Sequence, residues 1–322
     1  MIETHELTKH FKDVHAVEGI SLTVAPGELV ALLGPNGAGK STTLRMLTTL
    51  IPPTAGTARV ADFDVVAQQR QVRQRIGYIG QGNGAGHSQR GRDELISQGR
   101  AYGLKASEAR KRAAELVDSL GLAEVADRTV STLSGGQRRR LDIAMGLIHA
   151  PGLLFLDEPS TGLDPQNRAN LQEHILALRA RRETTIVLTT HYLDEADSMA
   201  ERVIVIDHGR IIADDTPARL KAKHVGDRIT LGFDHEADAA RAAAEIARPL
   251  ERHGTTVRIS VAGASRLVPG ILEDLRVAGV PVAEVAVTRP TLDDVFLTLT
   301  GRSLREGGAA VESAGERELV EV

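Results

Sequence analysis

The sequence contains no cysteine and no tryptophan, and only five phenylalanines and three tyrosines among 322 residues. Without cysteine there are no disulfides and no thiolate metal sites, which excludes a disulfide scaffold and a zinc domain built on thiolates and fits a reducing compartment. No apolar run approaches the ~18 residues needed to cross a bilayer, and the best candidates, LVALL at 29–33 and LLFL at 153–156, have the length of buried strands. The opening MIETHELTKHF lacks the apolar stretch of a secretory leader. If the chain moves anything through a membrane, another chain must make the path. Positive charge is not in excess either. A net charge of −4 and a pI near 6.3 argue against blanket neutralisation of phosphates, so no nucleic-acid partner is expected.

What is present reads as globular, with 42% hydrophobic and 25% charged residues, and the length allows two domains. Short β-rich runs at 20–24 and 28–33 precede a Gly-rich turn and then a helical pattern from Ser41, the strand, loop and helix order of a phosphate-binding unit. From about 85 to 150 helical spacing dominates, as in Glu108 to Leu120 with Ala113, Leu116, Val117 and Leu120 on one face, which predicts an inserted helical subdomain. Strands at 152–156, 185–190 and 202–207 alternate with helices at about 166–181 and 192–200, the pattern of a mostly parallel sheet covered by helices. The pattern then restarts. Strand and helix signals between 225 and 301 predict a small C-terminal α/β accessory domain, and the Gly, Ser and Glu of 302–322 predict a disordered tail.

Gly34-Pro35-Asn36-Gly37-Ala38-Gly39-Lys40-Ser41, followed by Thr42, fits GxxxxGK[ST] between an apolar strand and a helix. Such a loop wraps phosphates in backbone N–H groups, because glycines clear side chains from their path and the helix start adds a positive dipole end. Lys40 would reach the β- and γ-phosphates of ATP, and Ser41 would ligate Mg²⁺. Leu153 to Leu156 end in Asp157 and Glu158 at the edge where parallel sheets bind ligands. A lone Asp-Glu there is ordinarily a solvated strand end. Downstream of a P-loop it becomes a Walker B strand, with Asp157 toward the metal and Glu158 toward the attacking water.

With Leu133-Ser134-Gly135-Gly136-Gln137 lying between them, these motifs resemble the ATP-binding-cassette (ABC) ATPases over about residues 2–222. The resemblance implies a P-loop NTPase core carrying the helical subdomain and an antiparallel N-terminal β subdomain, within a nucleotide-binding domain spanning 1–222. It implies further that Ser134, Gly135, Gly136 and Gln137 form the signature that binds ATP held by a second copy of the domain. Tyr78-Ile79-Gly80-Gln81 resembles the Q-loop, with Gln81 facing Mg²⁺ and water. Ser160 to Asp164 resembles the D-loop, His191 the switch histidine that contacts the γ-phosphate, and Phe11 the aromatic that stacks on adenine. One departure is GNGAGHSQRGRDEL after Gln81, Gly-rich where relatives carry apolar or acidic residues, on the surface that faces the membrane subunit in exporters.

LTTLIPPTAGTARVADFDV and the terminal PTLDDVFLTLTGR resemble the ATPase subunits of daunorubicin-resistance-type drug exporters. Leu292, Val295, Phe296 and Leu299 also make an amphipathic closing helix, and both readings can hold together. The resemblance implies a homodimer of ATPase subunits on the cytoplasmic face of the membrane, serving separate transmembrane permease chains that export a hydrophobic drug or lipid. Two rivals are weaker. A soluble ABC ATPase acting on ribosomes or DNA would be expected to carry two cassettes or a long coiled-coil insertion, and neither is present. A non-hydrolysing regulator would be expected to lack Glu158 or His191, and both are present.

Overall fold

The computed structural model describes residues 1–301 except 83, 87, 183 and 262. The tail expected at 302–322 lies outside the described residues, as do Asn83 and His87 of the divergent stretch after Gln81. The chain divides into two compact units, Met1–Asp214 and a second beginning at Asp215.

In the first unit, β1 (Ile2–Phe11) and β2 (Val14–Val24) form an antiparallel hairpin, extended on the far side of β1 by β4 (Ala55–Val60) and β5 (Phe63–Asp64) in the order β2-β1-β4-β5. Ile20, Leu22 and Val24 alternate with exposed residues, so one face of this sheet packs and the other is wet. The sequence signal for β1 is weak for a visible reason: Glu6 turns to φ 47°, and the register with β2 shifts between Thr4 and Leu7, which breaks the period of two.

The second sheet has the order β10-β9-β3-β8-β7-β6, from β3 (Leu29–Leu33), β6 (Ile76–Ile79), β7 (Leu153–Asp157), β8 (Thr185–Thr190), β9 (Arg202–Asp207) and β10 (Arg210–Asp215). The five from β9 to β6 pair in parallel. Every residue of β3, β7 and β8 is buried, as expected of strands covered on both faces. Residues from this sheet (Val30, Leu32, Phe155, Val187) share one core with Leu7, Ile20 and Leu22 of the antiparallel sheet and with Leu44 and Leu47 of α1 (Lys40–Leu47). The P-loop helix is thereby seated in that shared core.

After α2 (Gln69–Arg75) and β6 come α3 (Gly91–Ala101), α4 (Ala106–Ser119) and α5 (Gly135–Leu147), the expected helical insertion. Ala113, Leu116, Val117 and Leu120 are buried, as their spacing predicted. Within the RDEL segment, Arg92 forms a fork with Asp127, its Nε and one Nη bonding the two carboxylate oxygens at 2.8 and 3.0 Å. Helices α6 (Pro165–Arg182) and α7 (Leu193–Met199) follow β7 and β8.

The second unit opens with α8 (Pro217–His224) and builds an antiparallel sheet, β12-β13-β11-β14, from β11 (Asp227–Gly232), β12 (Leu250–His253), β13 (Thr256–Val261) and β14 (Glu284–Thr288). Helices α9 (Glu236–Glu245) and α10 (Ala264–Val277) cover it around Ile229, Leu231, Val257, Ile259 and Leu275. The closing helix α11 (Leu292–Thr300) packs on α8. It starts with a reciprocal cap: the Asp294 N–H donates to Thr291 Oγ1 at 3.2 Å and the Thr291 N–H donates to Asp294 Oδ2 at 2.8 Å. It ends at Gly301 with φ 74°. Leu292, Val295 and Phe296 of the predicted stripe are buried, and Leu299 is half-buried. Truncating Phe296 should therefore leave a cavity. Phe296→Ala is expected to lower the unfolding free energy of the second unit by about 3–5 kcal/mol, measured by urea titration of the full chain.

Candidate functional site

Two glycines of the P-loop are fixed by close approach. A Cβ on Gly34 would stand 2.1 Å from the Ile206 carbonyl oxygen, and one on Gly39 would stand 2.4 Å from that of Ala16, where the backbone also holds φ 101°. The turn between β9 and β10 braces the loop from below, since the Gly209 N–H donates to the Ala38 carbonyl at 3.0 Å. Gly39 precedes the first turn of α1, whose N–H groups have no partners inside the helix and suit an anion.

The Lys40 ammonium is almost fully buried and donates to the carbonyls of Gly34 (2.7 Å) and Pro35 (3.0 Å), 3.6 Å from Glu158 Oε1. Burial pushes its pKa below the ordinary lysine value, opposed by the carboxylates of Glu158 and Asp157. Asp157 ends β7 with no exposure. Its Oδ1 accepts the hydroxyls of Ser41 (2.7 Å) and Thr189 (2.8 Å), and the Tyr78 hydroxyl lies 3.5 Å from Oδ2. The Gln81 amide donates to Ser41 Oγ at 3.2 Å. Ser41 Oγ and Asp157 Oδ1 thus meet at one point with the Gln81 side-chain amide beside them, and hydroxyl, carboxylate and amide oxygens are the ligands a hard divalent cation takes.

Glu158 sits in the left-handed region at φ 47°, rare for a residue with a side chain and costing about 1–3 kcal/mol. It is held there by its N–H on Thr189 Oγ1 (2.9 Å) and by the Thr161 hydroxyl on its Oε2 (3.1 Å). His191 Nδ1 approaches the same oxygen at 3.3 Å without hydrogen-bond alignment. Burial works against the charged form of Glu158. The contacts with His191, Lys40 and Thr161 outweigh it and hold the pKa below the ordinary glutamate value.

An open cavity of about 540 Å³ adjoins these groups, lined among others by Phe11, Asn36 to Thr42, Gln81 and Glu158. Phe11, the last residue of β1, is 45% exposed, with the Lys9 ammonium 5.0 Å from its ring centre. Lys40, Ser41, Gln81, Asp157, Glu158 and His191 are therefore assembled, with Phe11 at the rim. Ser134 to Gln137 do not line this cavity. They form the start of α5 rather than a free loop: Gln137 N–H donates to Ser134 Oγ (3.3 Å) and Ser134 N–H donates to Gln137 Oε1 (2.9 Å), a capping box. A Cβ on Gly136 would stand 2.5 Å from Asn167 Oδ1, and Asn167 in turn bonds Asp164 through its backbone N–H at 3.0 Å and its side-chain amide. Signature and D-loop are thus neighbours within one chain.

Sequence reasoning missed Thr189, Asn167 and the buried Arg139. A threonine at a strand end, or an arginine that binds only backbone carbonyls, has no spacing that marks it. His10, His15 and Glu18 also gather metal-type ligands, but Glu18 is already occupied by Arg210 (2.6 and 2.8 Å) and His15 (2.7 Å).

The family model "ABC transporter" matches residues 17–161, and "ATP-binding protein DrrA1-3-like, C-terminal domain" matches 216–300. The chain is 43% identical over 306 residues to the daunorubicin resistance ATP-binding protein DrrA2 of Streptomyces coeruleorubidus, covering 93% of this chain and 95% of that one. It is 41% identical to the daunorubicin/doxorubicin resistance ATP-binding protein DrrA of Streptomyces peucetius, over 99% and 97% of the two chains. Among solved structures it is similar to a dimeric bacterial ABC transporter cassette, with a TM-score of 0.62 and 25% identity over 67% of this chain and 98% of that one. No described helix is long and apolar enough to cross a membrane. The chain belongs to the ATP-binding proteins of ABC transporters, ATP hydrolases that drive transport, in the branch of the daunorubicin-resistance ATP-binding proteins.

Proposed function

We propose that this chain is the ATP-hydrolysing half of an exporter whose path is made by separate permease chains, working as a homodimer with two ATP molecules between its copies. One observation carries the reading. Lys40, Ser41 and Glu158 line one cavity, with Asp157 bonded to Ser41 and His191 beside Glu158, whereas the helix start at Ser134 to Gln137 lies apart from it and offers N–H groups of its own. Each chain then holds two halves of different sites. Every ATP lies between Lys40 of one copy and the signature of the second. The names of its relatives support a hydrophobic antibiotic as cargo, and the chain's place is the cytoplasmic face of the membrane, held there by the permease.

Within the site, the phosphates take free backbone N–H groups of the Gly34 to Thr42 loop, in which Pro35 has none, and Lys40 exchanges its carbonyl partners for phosphate oxygens. Phe11 stacks on the adenine. Mg²⁺ would be held by Ser41, Asp157 and Gln81, and when bound it neutralises charge on the β- and γ-phosphates. Glu158 orients and polarises the attacking water and accepts its proton. His191 steadies Glu158 and contacts the γ-phosphate, and Asp164 joins the interface between copies. Closure of the dimer supplies the stroke, and hydrolysis resets it.

Glu158→Gln should keep ATP binding, trap an ATP-bound dimer visible by gel filtration and abolish turnover; normal steady-state hydrolysis would remove Glu158 from the role of base. Ser134→Arg should bind ATP as a monomer without hydrolysing it, and full activity in that variant would overturn the split site. A third outcome concerns pH. Because the folded-state pKa of Glu158 is depressed, its contribution to stability is present above the ordinary glutamate value and is lost as pH falls through the depressed one. The difference in urea midpoint between wild type and Glu158→Gln should hold steady above about pH 5 and shrink on acidification below about pH 4. A difference that grows on acidification would reverse the assigned direction.

A further inference from the structure

Arg139 lies five residues into the helix that Ser134 caps, and it is 7% exposed. Its guanidinium donates to three backbone carbonyls: Nε to Pro159 (2.7 Å), one Nη to Gly80 (2.7 Å) and the other to Asp157 (3.3 Å). Those three belong to the Q-loop, the Walker B strand and the turn that leads to the D-loop. One helical turn further on, Asp142 is also buried, and its Oδ1 accepts the N–H groups of Gly84 (3.0 Å) and Ala85 (2.9 Å). Residues three apart share a helix face. A single face of α5 therefore grips the segment after β6 at two places, with Arg139 donating to Gly80 and Asp142 accepting from Gly84 and Ala85.

A guanidinium buried away from water is costly unless its donors are filled, and a planar fork fills several at fixed angles in a way an ammonium cannot. These bonds fix where α5 sits relative to Gln81, Asp157 and Glu158. The same helix carries Ser134 at its N-terminus, about 8 Å along the axis from Arg139 and about 12 Å from Asp142 at 1.5 Å per residue. In the two-copy arrangement proposed above, on which this inference rests, the Ser134 end touches the ATP of the second copy. The Arg139 and Asp142 end holds the water-activating and Q-loop backbone of the chain's own site.

We propose that Arg139 and Asp142 are positioning residues that make α5 the rigid link between the two ATP sites, so that capture of one ATP by the signature sets the Q-loop and Walker B backbone of the other site. Neither side chain lines the cavity beside Lys40. Their action is on the coupling between sites, which is reciprocal and ordinarily amounts to a factor of about 5–150. Arg139 and Asp142 hold the loop by complementary means, so losing either one frees it on one side.

The test uses the full chain and reads ATPase rate against ATP concentration, together with ATP affinity in the Ser134→Arg background, which isolates one nucleotide-holding site. Wild type is expected to give a sigmoidal curve. Arg139→Lys, which loses the fork, and Asp142→Ala, which loses the acceptor, should each give a hyperbolic curve with a lower maximal rate, having lost the roughly 5–150-fold coupling in affinity between the sites, and unchanged affinity in the Ser134→Arg background. Asp142→Asn keeps an oxygen at the same place and should restore the sigmoidal curve. Wild-type cooperativity in a folded Arg139→Lys or Asp142→Ala chain would overturn the proposal, as would loss of cooperativity in Asp142→Asn. A fall in isolated-site affinity that matches the fall in rate would make the pair a support of ATP binding and overturn it too. So would a hyperbolic wild type, or failure of both Arg139→Lys and Asp142→Ala to fold. Failure of the split-site reading is seen separately, as hydrolysis by Ser134→Arg itself.

Discussion

A carboxyl group with no solvent exposure must find its hydrogen-bond donors within the protein, and the position of Asp157 at the end of β7 makes that requirement organise the site. Its two near donors come from different elements. Ser41 brings the start of α1, and Thr189 brings β8, which stands beside Asp157 in the parallel register. Thr189 then also receives the Glu158 N–H, so one hydroxyl serves the buried carboxylate as donor and the next residue's backbone as acceptor. The left-handed turn at Glu158 depends on this arrangement. It aims the Glu158 side chain back toward Lys40 and His191 instead of letting the chain continue as strand.

The same economy appears on the helical side. A helix start has N–H groups to give and a buried guanidinium has carbonyls to find, and α5 carries both along one rod. Its capping box is local and closes within Ser134 to Gln137, while its grip on the rest of the cassette is made by Arg139 and Asp142 through backbone atoms. The helical insertion is thereby tied to the nucleotide core at a few buried polar bonds in addition to apolar packing. Such bonds have defined lengths and angles. They transmit a displacement of the helix more faithfully than a loose apolar contact would.

How much of this was legible in the sequence follows from what kind of signal each part leaves. The P-loop and the Walker B strand were readable because phosphate binding forces glycines and a lysine into fixed spacing and because a doubly covered strand is mostly apolar, as LVALL and LLFL are throughout. The helical insertion and α11 were readable from the period of buried residues. The first strand was not, because Glu6 interrupts its alternation, and β12, with only four residues and three of them exposed, leaves almost no pattern. Residues that act through backbone partners escaped altogether. Arg139 stands in a run of three arginines, 138 to 140, and nothing in the run says which one turns inward.

Gly136 shows how a correct motif can hide half of its own reason. Read as a signature glycine, it is small so that backbone can approach phosphate. In the folded chain it is also small because Asn167 lies where its Cβ would be, and Asn167 is bonded to Asp164. A side chain at 136 would have to displace Asn167 and would loosen Asp164 with it, before any nucleotide or second copy is involved. The glycine thus keeps the start of α5 and the segment around Asp164 of one chain in register with each other. In the two-copy arrangement proposed above, a half-site assembled in that way would present signature and D-loop to the other copy as one surface.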